Sequence, residues 1–336
     1  MDSIIISEFG SFLGKKSERL VVKENGKVKE EIPFFKINQV LVTSNGVSLS
    51  SDVIKECATA GIQITFLSSA GKPYAILQSP HLQGTVITRR EQILSYNDRR
   101  GFELAKQFAR GKIANQVNLL KYASKYRKSA NPEVYELIRD NVSKIEDLKK
   151  SLDKLMAESI EDARESILNL EGRSACIYWD SIAQIIPDTY TFSRREKRGA
   201  TDLVNSVLNY GYGILYSQIA MAIALAGLDP YAGFLHADRS GKPSLVLDLI
   251  EEFRQPVVDR TILGMLGRNA DWKIQDGKLD DKTRRDLAQR IIERLEARET
   301  YERKKFTLRT IIQRQARAVA AFVRGEKAYK PFIAGW

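Results

Sequence analysis

Histidine is the scarce residue of this 336-residue chain, which has two, His81 and His236. His236 closes the segment Gly227-Leu228-Asp229-Pro230-Tyr231-Ala232-Gly233-Phe234-Leu235-His236, and Leu247-Asp248-Leu249-Ile250-Glu251-Glu252-Phe253-Arg254 follows soon after. Asp248 and Glu251 are three positions apart, so on a helix they share a face. Leu245, Leu247, Leu249 and Ile250 surround them, which sets at least one carboxylate near a core. A carboxylate there needs a cation or a proton, and His236 is the nearest candidate co-ligand. One imidazole with two or three carboxylates is a mostly hard-oxygen donor set. It suits Mg²⁺ or Mn²⁺ better than structural zinc, which prefers thiolates and more histidines. On spacing alone, Asp248 as an ordinary helix charge and His236 as a satisfied loop histidine remain alternatives. His81, behind Pro80, reads as a surface loop residue. Glu171 ends an acidic helix and opens an apolar one (Glu171-Gly172-Arg173-Ser174-Ala175-Cys176), and spacing alone makes it a surface glutamate.

The elements that must position these residues fall into two regions. The first 80 residues read as β. Ile4-Ile5-Ile6 is a short strand, and Arg19 to Ile32 is a hairpin around Asn25-Gly26, a pair suited to a type I′ turn. Val40 to Val42, Gly46 to Ser50, Ile62 to Leu67 and Tyr74 to Leu77 continue the strands. A short helix capped by Ser51 runs to Gly61. From about residue 90, apolar residues recur three and four apart to the end. The expected class is α+β: a strand-rich domain over 1–80, a linker over 81–90 and a larger all-helical domain over 91–336. Two domains also suit the length.

Composition narrows the class further. The chain is 43% hydrophobic and 28% charged, an ordinary globular balance that excludes wholesale disorder. Two cysteines, Cys57 and Cys176, cannot build a disulfide framework or a four-thiolate zinc site. The start, Met1-Asp2-Ser3-Ile4-Ile5-Ile6, lacks a basic n-region and a long apolar core, so the expected location is cytoplasmic. Residues 203–228 carry no formal charge but contain Asn205, Asn209, Ser217 and Gln218. They read as a buried core helix rather than a membrane span. The net charge of +11 suggests a polyanionic partner. That charge is concentrated. Residues 89–128 hold eleven basic residues against Glu91, Asp98 and Glu103, and residues 303–330 hold nine against Glu326. A cationic face for duplex DNA follows from that clustering; solvated helix faces are the plain alternative.

A wider set of residues falls into a recognisable order. Glu171-Gly172 with Tyr178-Trp179, then Phe192, Arg194 through Asn205, Tyr210-Gly211-Tyr212, the Gly227–His236 segment and Leu247–Arg254 resemble the CRISPR-associated adaptation integrases, the Cas-one family. The resemblance runs through nearly the whole chain, including the strand-rich start and Lys112-Ile113-Ala114-Asn115-Gln116. Its last two motifs together are the most specific. It implies a metal-dependent DNA endonuclease and integrase that, with a small Cas-two partner, inserts short DNA segments into a CRISPR array. By position, Glu171, His236 and Glu251 match the family's ligands for Mg²⁺ or Mn²⁺, and Asp248 matches a nearby catalytic acidic position. Self-association of two chains through residues 1–80 is implied as well. Arg194, Arg195 and Arg198 suit phosphate clamping, a solvated basic loop being the alternative. With Arg89, Arg90, Arg110 and Lys112 they are the expected DNA contacts. One departure is Gly199-Ala200-Thr201-Asp202, where many relatives carry prolines, so the local loop shape is open. A second reading keeps the fold and the basic face but makes the protein a non-catalytic DNA-binding scaffold.

Overall fold

The chain begins with β1 (Asp2–Ile6), β2 (Phe12–Lys16), β3 (Arg19–Glu24), β4 (Lys27–Pro33), β5 (Ile37–Val42) and β6 (Ser48–Leu49). Helix α1 (Ser51–Ala60) and strands β7 (Gln63–Leu67) and β8 (Pro73–Leu77) follow. This is a computed structural model that describes residues 2–77, 79, 86–125, 127–197 and 199–335. One sheet has the order β1-β5-β7-β8, the other β4-β3-β2-β6. Asn25 and Gly26 both take positive φ, 50° and 77°, as the β3–β4 turn demands. Strand β2 was not apparent in the sequence, because Phe-Leu-Gly-Lys-Lys breaks the alternation that marks a half-buried strand. The cap of α1 is Ser50 rather than Ser51: its hydroxyl accepts from the Val53 N–H at 3.3 Å.

Alternation along β5 divides its side chains between two cores. Val40 and Val42 join Ile4, Ile6, Leu13 and Leu20 between the sheets, whereas Leu41 joins Leu67 in the core of the helical region. The strand-rich part is therefore packed onto the helices through its second face. Polar contacts reinforce the joint: Gln218 donates to Gln39, and Arg309 Nη2 donates to Ser3 Oγ at 2.9 Å.

The helical region holds α2 (Val86–Ser95), α3 (Arg99–Ser124), α4 (Arg127–Ala130), α5 (Pro132–Asp153), α6 (Arg164–Ala183), α7 (Leu203–Leu225), α8 (Ser244–Leu249) and α9 (Arg260–Leu266). A small hairpin follows, β9 (Ile274–Gln275) with β10 (Lys278–Leu279), then α10 (Asp281–Glu296). A second hairpin, β11 (Arg298–Tyr301) with β12 (Lys304–Thr307), precedes α11 (Leu308–Val323). The region is thus mostly but not wholly helical. The linker expected at 81–90 is shorter than expected at its C-terminal end: residues 86–90 already belong to α2, and 81–85, with His81, lie outside the described residues. Helices α3, α5 and α6 pack on one another, while the uncharged α7 lies against α10, α11 and the strands β7 and β8. Among the described residues no helix is long and apolar enough to cross a membrane. A C-terminal segment closes over α3. Asn115 donates to the carbonyls of Glu252 and Phe332, each at 2.9 Å, and accepts from the Ala334 N–H.

Candidate active site

Four pieces of chain meet at the site: α3 brings Lys112, α6 brings Glu171, the loop after α7 brings His236, and α8 with its continuation brings Asp248, Glu251 and Arg254. After α8 the backbone tightens to a 3₁₀ turn over Ile250–Glu252 and then widens to a π-helical turn over Arg254–Asp259. Pro256 lies in that widened turn, where it has no N–H to give to an α-helical ladder. The loop is pressed against the start of α8. A Cβ on Gly233 would meet the Ser244 backbone at 2.6 Å, so only glycine permits this approach. Arg164, on α6, holds the next turn of the loop, its Nη1 donating to the carbonyls of Phe234 and Leu235 at 3.0 Å each.

Asp248 is fully buried and fixes the histidine. Its Oδ2 accepts from the Phe234 and Leu235 N–H groups at 2.6 and 3.0 Å, and its Oδ1 accepts from the His236 N–H at 2.9 Å. The same Oδ1 lies 2.7 Å from His236 Nδ1. A carboxylate oxygen that already accepts from a backbone N–H accepts from Nδ1 as well, which leaves Nε2 as the ring nitrogen not engaged by Asp248. Both oxygens of Asp248 are occupied in this way, which makes it the residue that orients His236.

Glu171 and Glu251 converge on one cation. Lys112, 8% exposed, donates to Glu171 Oε1, and its ammonium lies 2.7 Å from Glu251 Oε2. That oxygen is buried, and the Lys112 ammonium is the polar group that faces it. Arg254 Nε approaches the other oxygen of Glu251 at 3.2 Å. Burial alone would push the Glu251 pKa up, but Arg254, Lys112 and His236 outweigh it and hold the carboxyl well below its usual range. Desolvation works against the charge on Lys112 too, yet Glu251 and Glu171 raise its pKa overall. Lys197 feels the same cluster: its pKa is lowered by desolvation and by the Lys112 ammonium. Behind Arg254, the Tyr212 ring lies 4.7 Å from the guanidinium centre, and the Tyr212 hydroxyl donates to Asp259. Tyr178 donates to the second oxygen of Asp259 at 2.7 Å. Burial pushes the Asp259 pKa up to about 6 against those two hydrogen bonds.

With this arrangement in hand, comparison with known proteins gives one result throughout. The family model described as CRISPR associated protein Cas1 matches residues 4–293. The chain belongs to the Cas1 family. It is 39% identical to CRISPR-associated endonuclease Cas1 1 of Archaeoglobus fulgidus, with 99% of each chain covered. It is 37% identical to the protein of the same name from Francisella tularensis subsp. novicida over the whole of both. Two solved structures share the fold: a casposase bound to integration product (TM-score 0.81, 23% identity, covering 99% of this chain and 93% of that one) and a CAS1 protein from Thermotoga maritima (TM-score 0.78, 20% identity, 98% and 100%). The strand-rich start and the mostly helical remainder are consistent with Cas1 structures.

For this Cas1 chain, the donor chemistry fits a hard divalent ion. Glu171 and Glu251 already share a cation, the Glu251 oxygen that faces it is buried, and His236 offers Nε2. Among the described residues, however, no three His, Cys, Asp or Glu side chains are gathered as a ready metal cage. Lys112 occupies the space between the two glutamates. Of the residues expected to contact DNA, Lys112 is buried against two carboxylates. Arg195 is also engaged inside the protein. It donates to Asn205 Oδ1 at 2.8 Å and Asn209 Oδ1 at 2.6 Å, and it lies over the Trp179 and Tyr212 rings. Arg110 is paired with Asp153 at 2.9 Å, and Arg194 is exposed beside Glu196 at 3.1 Å. Arg90 is exposed, Arg89 is half-buried, and Arg198 lies outside the described residues. Sequence reasoning missed Arg164 and Asp259. It could have found Arg254, which stands three residues after Glu251 and so on the same helical side.

Proposed function

We propose that the protein is a metal-dependent DNA endonuclease and integrase of CRISPR adaptation, inserting short DNA segments into a CRISPR array. The observation that carries this is the convergence of Glu171 and Glu251 on one cation beside a His236 whose Nδ1 is tied to Asp248. The relatives from Archaeoglobus fulgidus and Francisella tularensis subsp. novicida are CRISPR-associated endonucleases, which supports the same reading. Glu171, Glu251 and His236 Nε2 would hold Mg²⁺ or Mn²⁺. Bound there, the metal would supply Lewis-acid stabilisation of the charge that develops on a phosphodiester under in-line attack by a 3′-hydroxyl or water.

The chain's own residues prepare that site. Asp248 holds Nδ1 of the imidazole and so leaves Nε2 as the ring nitrogen for a metal. Arg254, backed by Tyr212, keeps Glu251 ionised at neutral pH. Exposed Arg90, Arg194, Lys304, Lys305, Arg314 and Arg317 supply phosphate contacts that are sequence-tolerant and salt-sensitive. Among solved structures that share the fold is a complex titled Cas6-RT-Cas1--Cas2 (TM-score 0.78), which supports a Cas2 partner for this chain. Pairing of two chains through the strand-rich part is supported by its exposed aromatics, Phe9 at 78% and Phe35 at 72%.

The test is a branched DNA duplex incubated with the purified protein. The enzyme reading expects nicking and strand transfer with Mg²⁺ or Mn²⁺ and none with EDTA. Tight binding of the same DNA without nicking under any divalent ion would favour a non-catalytic scaffold.

A further inference from the structure

The Lys112 ammonium lies between Glu171 and Glu251, two of the carboxylates that would hold a divalent ion. It is buried, it bonds to Glu171, and it lies 2.7 Å from a buried oxygen of Glu251. Glu171 and Glu251 face two resident cations, Lys112 and Arg254, while Asp248 faces His236. A divalent ion added between the two glutamates without loss of Lys112 would lie against a buried ammonium. Like charges repel strongly at the low effective dielectric there. Of the two resident cations, Lys112 is the one that must yield. Arg254 touches only the outer oxygen of Glu251 and is held by the Tyr212 ring, whereas Lys112 lies between both carboxylates on a flexible four-carbon stem.

We propose that Lys112 is the resident counter-cation of the metal-free site and that the divalent ion binds by displacing it. The ammonium keeps two facing carboxylates folded together when no metal is present, and it weakens metal binding by competing for the same oxygens. The inference rests on the metal site proposed above, and the experiment separates the two.

Mn²⁺ binding to the full-length protein without DNA is measured by titration calorimetry or by the loss of the free-ion paramagnetic resonance signal. Melting temperature is measured with and without Mn²⁺. Lys112→Met, which keeps the length and apolar stem, is expected to bind Mn²⁺ about tenfold more tightly than wild type. It should also melt lower than wild type without metal and gain a larger Mn²⁺-induced shift. Should Lys112→Met not fold without metal, Lys112→Gln carries the same comparison. Equal or weaker Mn²⁺ binding in the Lys112 variant overturns the displacement, provided Glu251→Gln abolishes binding in wild type; the metal reading then stands. Mn²⁺ binding that is absent from both wild type and the Lys112 variant, or indifferent to Glu251→Gln, overturns both.

Discussion

His236→Ala is expected to lower nicking and strand transfer by a factor on the order of 10²–10³ or more, while duplex binding weakens by less than about tenfold. The two effects separate because of where the imidazole sits. Its Nδ1 is spent on Asp248 at 2.7 Å, so the substitution removes the one free ring nitrogen, Nε2, from the proposed metal site. Asp248 keeps its three backbone N–H donors from Phe234, Leu235 and His236, so the loop should hold its shape. The exposed cations on α2, β12 and α11 are untouched, and they carry the salt-dependent part of binding. A cleavage assay and a gel-shift series on one branched substrate check both halves. Wild-type cutting by His236→Ala with Mn²⁺ present would mean that this site is not the active site.

Asp248→Asn should harm both stability and activity. The buried carboxylate accepts four contacts, and all come from N–H groups. An asparagine has one acceptor oxygen, and its amide nitrogen would face a donor. Some of those donors then stay unsatisfied, at a cost of roughly 2–3 kcal/mol in chemical denaturation. The imidazole also loses the partner that sets its tautomer. Metal affinity or the rate of nicking should fall by about 10–100-fold, the usual consequence of losing a residue that orients a metal ligand. Normal stability and normal rate in this variant would show that Asp248 does not position His236.

How far these residues could be read from sequence depends on what each one pairs with. The β3–β4 hairpin was legible because Asn25-Gly26 is a local signal that needs nothing else from the fold. Asp248 and Glu251 were legible as a pair because helical spacing is local too. Their division of labour was not. Asp248 spends itself on backbone N–H groups of a loop twelve to fourteen residues upstream, and no side-chain type records that. The pairing of Lys112 was not legible for the same reason. The residue lies in a run of basic residues that reads as a phosphate-binding face, and its carboxylate partners are brought to it by α6 and the turn after α8. The stacking of Arg195 on Trp179 and Tyr212 was not legible because it depends on how α6 and α7 meet. Glu171 could be singled out only through the family resemblance, since an exposed helix glutamate has the same spacing.

The central claim is that Glu171, Glu251 and His236 together hold one divalent ion, and pulsed electron paramagnetic resonance of bound Mn²⁺ tests it most directly. A manganese ion ligated by an imidazole shows nitrogen modulation from the coordinated ring. The arrangement around Asp248 predicts that modulation from a single histidine in wild type. Its loss is expected in His236→Ala, and loss of the bound ion itself in Glu251→Gln. Bound Mn²⁺ without nitrogen modulation in wild type, or modulation that persists in His236→Ala, would contradict the claim.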